Sequence, residues 1–411
     1  MILSKSEEWL VEDDVKKIYR KLRNIDYWIL IPYLVLCLIG VVMVYSASAA
    51  IRMQTGGSPV NYLIKQIVFV LMGWGVFGFF ASLNLDKLRT KGILGLSFGI
   101  LLLALLFVKV AGRAVNGANG WINLGPISIQ PAEFTKLFMI VYWADRCTKV
   151  NDELHRPSMQ DYVSGLILTA ILLILIIIQP DVGGFSINFA IAALIIMASG
   201  YNSRWTILIF DGLLLIGMVA LPSLAKVVAT GHIKNYQVAR FVAFVNPFGT
   251  QSGAGSQLVN SYYAISNGGL KGVGLGNGIQ KMGYLPEPNT DFILSVVSEE
   301  LGFIGVFLIL ALLAVIICQI IRVGVRSDNM YEGLLCYGVG TFIAVEAAIN
   351  VGGVTGLLPI TGVTFPFISY GGSSMIALSI ALGLAMNVSI RQKLRRKNQR
   401  RLQAIRQRRI G

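Results

Sequence analysis

"YLPEPNTDFILSVVSEELG", residues 284–302, holds the boundary that decides the fold. Pro286 and Pro288 fix their own φ and push the residues before them towards extended backbone, so the first half of the stretch is a turn. From Asp291 the chain turns apolar and stays so to residue 321, enough for a helix across a hydrocarbon core that takes about 20 residues. Asn289 or Thr290 is placed to cap that helix, and the helix N-terminus favours an ionised carboxylate at Asp291. Asp291, Ser295, Ser298, Glu299 and Gly302 recur at helical spacing among apolar neighbours. This predicts one polar stripe running from the outer surface into the bilayer and lining a cavity. A helix-start carboxylate would explain Asp291 alone. It does not explain Glu299 and Glu300 deeper in the run, where acids are costly and mark function.

The same apolar signal recurs along the chain. Hydrophobic residues make up 55% of the 411 and charged residues 14%, against about 25% charged in a soluble globular chain. Ten segments are predicted to cross a membrane: 27–47, 63–83, 92–112, 132–149, 163–179, 184–200, 204–224, 291–321, 334–356 and 370–390. The fold class that follows is an all-α polytopic membrane protein of about ten transmembrane helices. Its parts are an N-terminal segment (1–26), a membrane domain (27–390) and a basic tail (391–411), with a large outer loop (225–290) between helices 7 and 8. An even number of crossings puts both termini on one side. With that side taken as cytoplasmic, 25 of the 35 lysines and arginines fall on it, the bias expected of cytoplasmic loops.

Charge and cysteine usage exclude other classes. The net charge is +14, but much of the excess lies in the stretch from Arg391 to Arg409, directly after an apolar span and without interleaved aromatics. That pattern reads as an anchor beside anionic lipid and not as a nucleic-acid site. Cys37, Cys147, Cys318 and Cys336 show no metal-ligand spacing, and His155 and His232 lie far apart. The N-terminus is charged and amphipathic, unlike a cleavable signal, so the first span is expected to remain as a helix.

Three outer segments, 113–131, 225–290 and 357–374, mix glycine with Trp, Phe, Tyr and Pro, and are predicted to form folded re-entrant or interfacial structure. In "SIQPAEFTKLF" (128–138), Pro131 suits a first helical turn, and Glu133 and Lys136, three apart, share a face and can pair. They read either as a snorkelling surface pair or as a charged pair facing the same cavity as Asp291, with Lys136 open to an anionic group. Asp181 and Glu346 are further acids at membrane depth. Trp121 suits an interfacial aromatic position. "GGLKGVGLGNG" (268–278) matches no phosphate-binding glycine motif, and no Gly-Lys dipeptide occurs, which excludes a Walker-type ATPase.

Taken together, "YSAS", "GANGWINLGPISIQPAEFTKL", "QPDVGG", "RFVAFVNPF", "SNGGLKGVGLGNGIQKMGYLPEPNTDF", "SEELGFIG" and "GLLPITGVTFPFISYGGSS" resemble, in order, the SEDS family of shape, elongation, division and sporulation proteins, the FtsW and RodA group. "GNGIQKMGYLPE" and "TGLLPITGV" look more like the division-type FtsW branch. The resemblance implies a ten-helix enzyme of the bacterial cytoplasmic membrane that polymerises peptidoglycan glycan strands from lipid II at the outer face. It implies action beside a class B penicillin-binding protein (the transpeptidase) and other division or elongation proteins, and use of a divalent cation, Mg²⁺ or Mn²⁺. The family's catalytic aspartate falls on Asp291, its cavity Glu and Lys on Glu133 and Lys136, and its Trp on Trp121. The usual "EAHTDF" reads "EPNTDF" here, so Asn289 stands where a histidine is common and any proton-handling role for that histidine does not apply.

The expected chemistry is an inverting transfer in which Asp291 acts as general base on the acceptor's 4-hydroxyl, or else as a metal ligand. Lys136, Arg240 or Lys281 would offset the charge of a departing undecaprenyl diphosphate, and Glu299 belongs to the cavity stripe. A lipid II flippase and a non-catalytic scaffold of the division complex are the rival readings. A flippase predicts acids and bases near the midplane that serve both faces, whereas the charged motifs cluster outside and no internal repeat is visible.

Overall fold

The computed structural model describes residues 21, 23–48, 58–115, 118–123, 125, 128–153, 159–200, 236–249 and 254–410. Nine of the ten predicted spans fall on helices within these residues. They are α1 (Tyr27–Ser48), α2 (Pro59–Ser82), α4 (Lys91–Ala111), α5 (Pro131–Glu153), α6 (Met159–Ile178), α7 (Val182–Ala198), α10 (Ile293–Val325), α11 (Met330–Thr355) and α12 (Gly372–Ile410). A short α3 (Leu85–Leu88) joins α2 to α4, and α8 (Tyr236–Val245) and α9 (Ala254–Gly268) lie between α7 and α10. The predicted span 204–224, the first part of the loop at 225–235 and most of segment 1–26 lie outside the described residues.

Among the described residues, seven helices are long and apolar enough to cross a membrane. Two more spans fall short on that measure for visible reasons: α7 has only 17 residues, and α5 carries Glu133, Lys136, Asp145, Arg146 and Lys149. Phe79, Leu103, Ile174 and Phe307 point outward, a girdle that suits hydrocarbon and would be a liability in water. The protein is a multi-pass membrane protein.

Central to the bundle are α10 against α1 and α11, and α12 against α2, with α11 also packed on α5 and α7. One end of the bundle, the tail face, is tied by hydrogen bonds and ion pairs to buried acids. Buried Asp26 accepts from Gln319 (2.8 Å) and Ser389 (3.0 Å), and Glu332 takes Arg395 at 2.7 Å. The fold is all-α as expected, and the opposite end, the loop face, carries its one small exception among the described residues. Segment 113–131 forms a small antiparallel sheet, β1 (Arg113–Val115), β2 (Ala118–Asn123) and β3 (Ser128–Ile129), pairing Arg113 with Trp121 and Ile122 with Ile129.

Helix α10 differs from its predicted form in two ways. It starts at Ile293, not Asp291, with Phe292 at the N-cap position and no side-chain cap, so Asn289 and Thr290 do not cap it. Asn289 instead is buried and donates to Ser48 Oγ (3.3 Å), while Ser369 Oγ donates to the Thr290 carbonyl (2.7 Å). The helix also breaks at Gly302 (φ 67°, ψ −171°). The freed backbone is paired by the glycine-rich segment: Val273 and Gly274 donate to the Glu299 and Glu300 carbonyls (both 3.0 Å), and Phe303 donates to Gly269 (2.9 Å). A Cβ at Gly272 would lie 2.2 Å from the Glu300 carbonyl oxygen, so glycine is what lets the two backbones meet. Within a membrane, broken helices persist only where such partners exist.

Candidate active site

Asp291 sits in the turn that enters α10, half-buried at the loop face. Two distant segments close around it. Arg240 on α8 brings its guanidinium beside the carboxylate, and Gly362, at φ +81°, presents bare backbone to both. A Cβ at Gly362 would stand 3.3 Å from Asp291 Oδ2 and 3.4 Å from Arg240 Nη1, so glycine keeps open the space in front of the pair. Removal from water pushes the Asp291 carboxyl up to about 6, with Arg240 pulling it down and the charge of Glu287 adding to the rise. A carboxyl poised there is ionised at neutral pH yet a better base than an ordinary aspartate.

Asn350 on α11 holds this turn in place. Its Nδ2 donates both protons, to the Asp291 carbonyl (2.8 Å) and to the Val363 carbonyl (2.7 Å). One side chain thereby locks the Asp291 turn to the irregular 361–364 segment beside it. Asn350→Leu, of similar size and unable to donate, is expected to lower kcat on the order of 10²-fold, the scale of a misplacement of about 1 Å. KM should stay nearly unchanged in steady-state kinetics; a rise in KM alone would count against a positioning role.

A second cluster lies behind that segment. Lys136, on α5, reaches Glu133 (2.6 Å) and Glu346 of α11 (3.0 Å) and stands 4.8 Å over the Phe342 ring. Ser374 donates to Glu346 at 3.0 Å, and Thr364, two residues past Gly362, also points to Glu346 (3.4 Å) and bonds Ser374 (3.0 Å). Glu133 Oε2 is buried without a hydrogen-bond partner among the described residues. Asp181, at the N-cap of α7, accepts from Gly184 (2.7 Å) and Gln130 (3.1 Å) and feels the charges of Lys136 and Glu133, while burial pushes its carboxyl up. Trp121, half-buried on β2, follows Gly120, which faces Gln130 and Gln179. So the ammonium of Lys136 is spent on two carboxylates and reaches no open surface, unlike the expectation of a cation open to an anionic group.

Lys281 and Glu299 belong to neither cluster. Lys281 pairs with Glu300 and donates to Ser46 (2.9 Å), and Ser46 donates to Glu300 at 2.7 Å. Glu299 accepts from Asn267 (2.9 Å) and from the backbone of Ile279 (2.9 Å) and Gln280 (3.1 Å). Ser295 bonds Ser261 of α9 at 2.8 Å. The stripe predicted to line a cavity is therefore packed against α9 and the glycine-rich loop. The reason is the broken helix, since irregular backbone at this depth needs polar side chains to satisfy it.

Sequence reasoning passed over Asn350, Thr364 and Ser374 and found no role for Glu346. One signal was available: Glu346 and Asn350, four apart in an otherwise apolar run, lie on one helix face.

Comparison with known proteins adds to this geometry. The sequence model of the FtsW, RodA and SpoVE cell cycle proteins matches residues 27–394. The chain belongs to the FtsW/RodA/SpoVE family. Relatives in this family include the probable peptidoglycan glycosyltransferase FtsW of Lactococcus lactis, 39% identical over 386 residues, covering 87% of this chain and 90% of the relative. The protein of the same description from Enterococcus hirae is 37% identical, covering 87% and 90%. Among solved structures of the family, RodA of Thermus thermophilus superposes with a TM-score of 0.63 at 25% identity, over 89% of this chain and 96% of that one. A chain from a structure of a peptidoglycan synthase complex, concerned with the coordination of polymerization and crosslinking, gives 0.70 at 26%, over 89% and 97%.

Proposed function

We propose that this protein is a peptidoglycan glycosyltransferase that joins lipid II units into glycan strands, with Asp291 as its general base. The single observation that supports the role of Asp291 is its setting: a half-buried carboxylate at the loop face, opposite Arg240, with glycine backbone in front and Asn350 holding the turn. The loop face would lie outside the cytoplasmic membrane, and both termini inside.

The acceptor's 4-hydroxyl oxygen bonds to C1 of the donor sugar as the C1–O bond to undecaprenyl diphosphate breaks. The hydroxyl proton passes to Asp291, and the diphosphate leaves with the bonding electrons. One displacement inverts C1, which needs a base on one side and charge stabilisation on the other, and no carboxylate nucleophile. Arg240, beside Asp291, is on the base's side, where it favours the ionised carboxylate that takes the proton.

Among the described residues no three histidine, cysteine or carboxylate side chains converge as a metal cage. Mg²⁺, however, is commonly held by one or two carboxylates together with substrate phosphate and water. Glu287, whose charge is felt at Asp291, would be one such carboxylate, with Asp291 left as the base. Mg²⁺ or Mn²⁺ held there would supply charge for the diphosphate.

The test is polymerisation of lipid II by the purified protein, with and without a class B penicillin-binding protein and a divalent cation. Polymer above background supports the reading. No polymer under any of these conditions, together with lipid II translocation in vesicles, would replace it with transport.

A further inference from the structure

At the tail face, opposite the catalytic end, a cleft of about 300 Å³ is lined by Arg23, Asn24, Ile25, Lys393, Arg396, Lys397 and Arg400. Five of the seven are cations and none is an acid. Lys393, Arg396, Lys397 and Arg400 follow at i, i+3, i+4 and i+7, so they form one face of α12. The neighbouring basic residues of the same helix are spent: Arg395 and Arg391 pair with Glu332, and Arg391 also with Asp86. Among the described residues, Lys393 alone on the cleft face has a carboxylate, Asp26 at 3.6 Å. Lys397 donates to the Asn24 amide oxygen (2.5 Å) and Arg396 to the Arg326 carbonyl (3.4 Å), both neutral. Like charges gathered on one helix face repel, and a bound anion relieves that cost.

Depth says which anion. The apolar span of α12 ends near buried Ile390. At about 1.5 Å per residue, Lys393 lies about 4–5 Å and Lys397 about 10 Å beyond it. Polar layers that add roughly 5–8 Å on each side of the hydrocarbon hold Lys393, and the long stem of Lys397, just beyond them, lets its ammonium reach back to the head groups.

We propose that this cleft is a binding site for the phosphate head group of an anionic phospholipid. Cations at this depth each strengthen attraction to anionic lipid, and several converging on one cleft suit a head group with more than one phosphate.

The test is lipid retention by the full-length protein, followed by native mass spectrometry on titration with diphosphatidylglycerol or phosphatidylcholine. Three chains are compared: wild type, the cleft variant R396Q/K397Q/R400Q, and a control, R401Q/R406Q/R408Q, which removes the same charge further along the helix. Lys393 is left intact because it faces buried Asp26. Wild type and control should retain diphosphatidylglycerol in preference to phosphatidylcholine. The cleft variant should lose affinity on the order of 100-fold, at roughly fivefold per cation. Equal losses in both variants would mean net charge alone. Displacement by millimolar inorganic phosphate would mean a free-anion site. No retention by wild type, as when the acidic stretch EEWLVEDD (7–14) fills the cleft, would also overturn the proposal.

Discussion

Lys136→Met is expected to lose about 3–5 kcal/mol of stability, the range for a buried ion pair stripped of one partner. The side chain of Lys136 is 1% exposed and that of Glu346 not at all. Among the described residues, the Lys136 ammonium is the one cation bonded to both Glu133 and Glu346. Without it, two buried carboxylates face each other with Asp181 nearby, and each must take up a proton or draw in water. Thermal unfolding in detergent should shift down by several degrees. The loss should shrink in Lys136→Met combined with Glu346→Gln, because the amide removes one of the stranded charges and still accepts from Ser374 and Thr364. An unfolding temperature equal to wild type would mean that water or a proton already compensates the cluster.

Asp291→Asn, in contrast, is expected to fold and to lose about 10²- to 10⁴-fold in kcat, the usual worth of a positioned base. The amide is close in shape to the carboxylate, and the Asn350 clamp grips the main chain of residue 291 and not its side chain. The turn should therefore hold. Binding of lipid-linked substrate should survive, because Arg240 remains and loses a competing anion. Initial rates at saturating lipid II check this, with thermal unfolding as the control for folding.

Much of the fold was legible because a membrane span has one loud signal, an apolar run of fixed minimum length. That signal places α1, α2 and α4 within a few residues. It is silent on where a helix breaks. The polar positions Ser295 and Glu299 look the same whether they line water or satisfy a neighbouring loop, and only the break at Gly302 decides between the two. The glycine-rich stretch 268–278 was read by what it failed to match. Its actual task, close backbone approach to α10, has no side-chain signature beyond glycine itself.

The candidate site was legible in its acids and less so in its assembly. Glu133 and Lys136 announce their pairing by spacing on one helix. Their third partner, Glu346, comes from a helix 210 residues further on, and local spacing carries no information at that range. Arg240 meets Asp291 across a loop of about 50 residues, where charge was readable and contact was not. Hydroxyls such as Thr364 and Ser374 are common in spans, so they stand out only once a buried carboxylate is seen to need them.

The pH dependence of kcat/KM for lipid II polymerisation, measured from about pH 5 to about pH 8 for wild type and Asp291→Asn, tests the role of Asp291 most directly. Below the shifted value the carboxyl is protonated and cannot accept the acceptor's proton; above it the base form is full. Wild type should rise through about pH 6 and level off, while the asparagine variant keeps a small rate without that ascending limb. The same limb in both proteins, or a flat profile in wild type, would place the base elsewhere and contradict the assignment of Asp291.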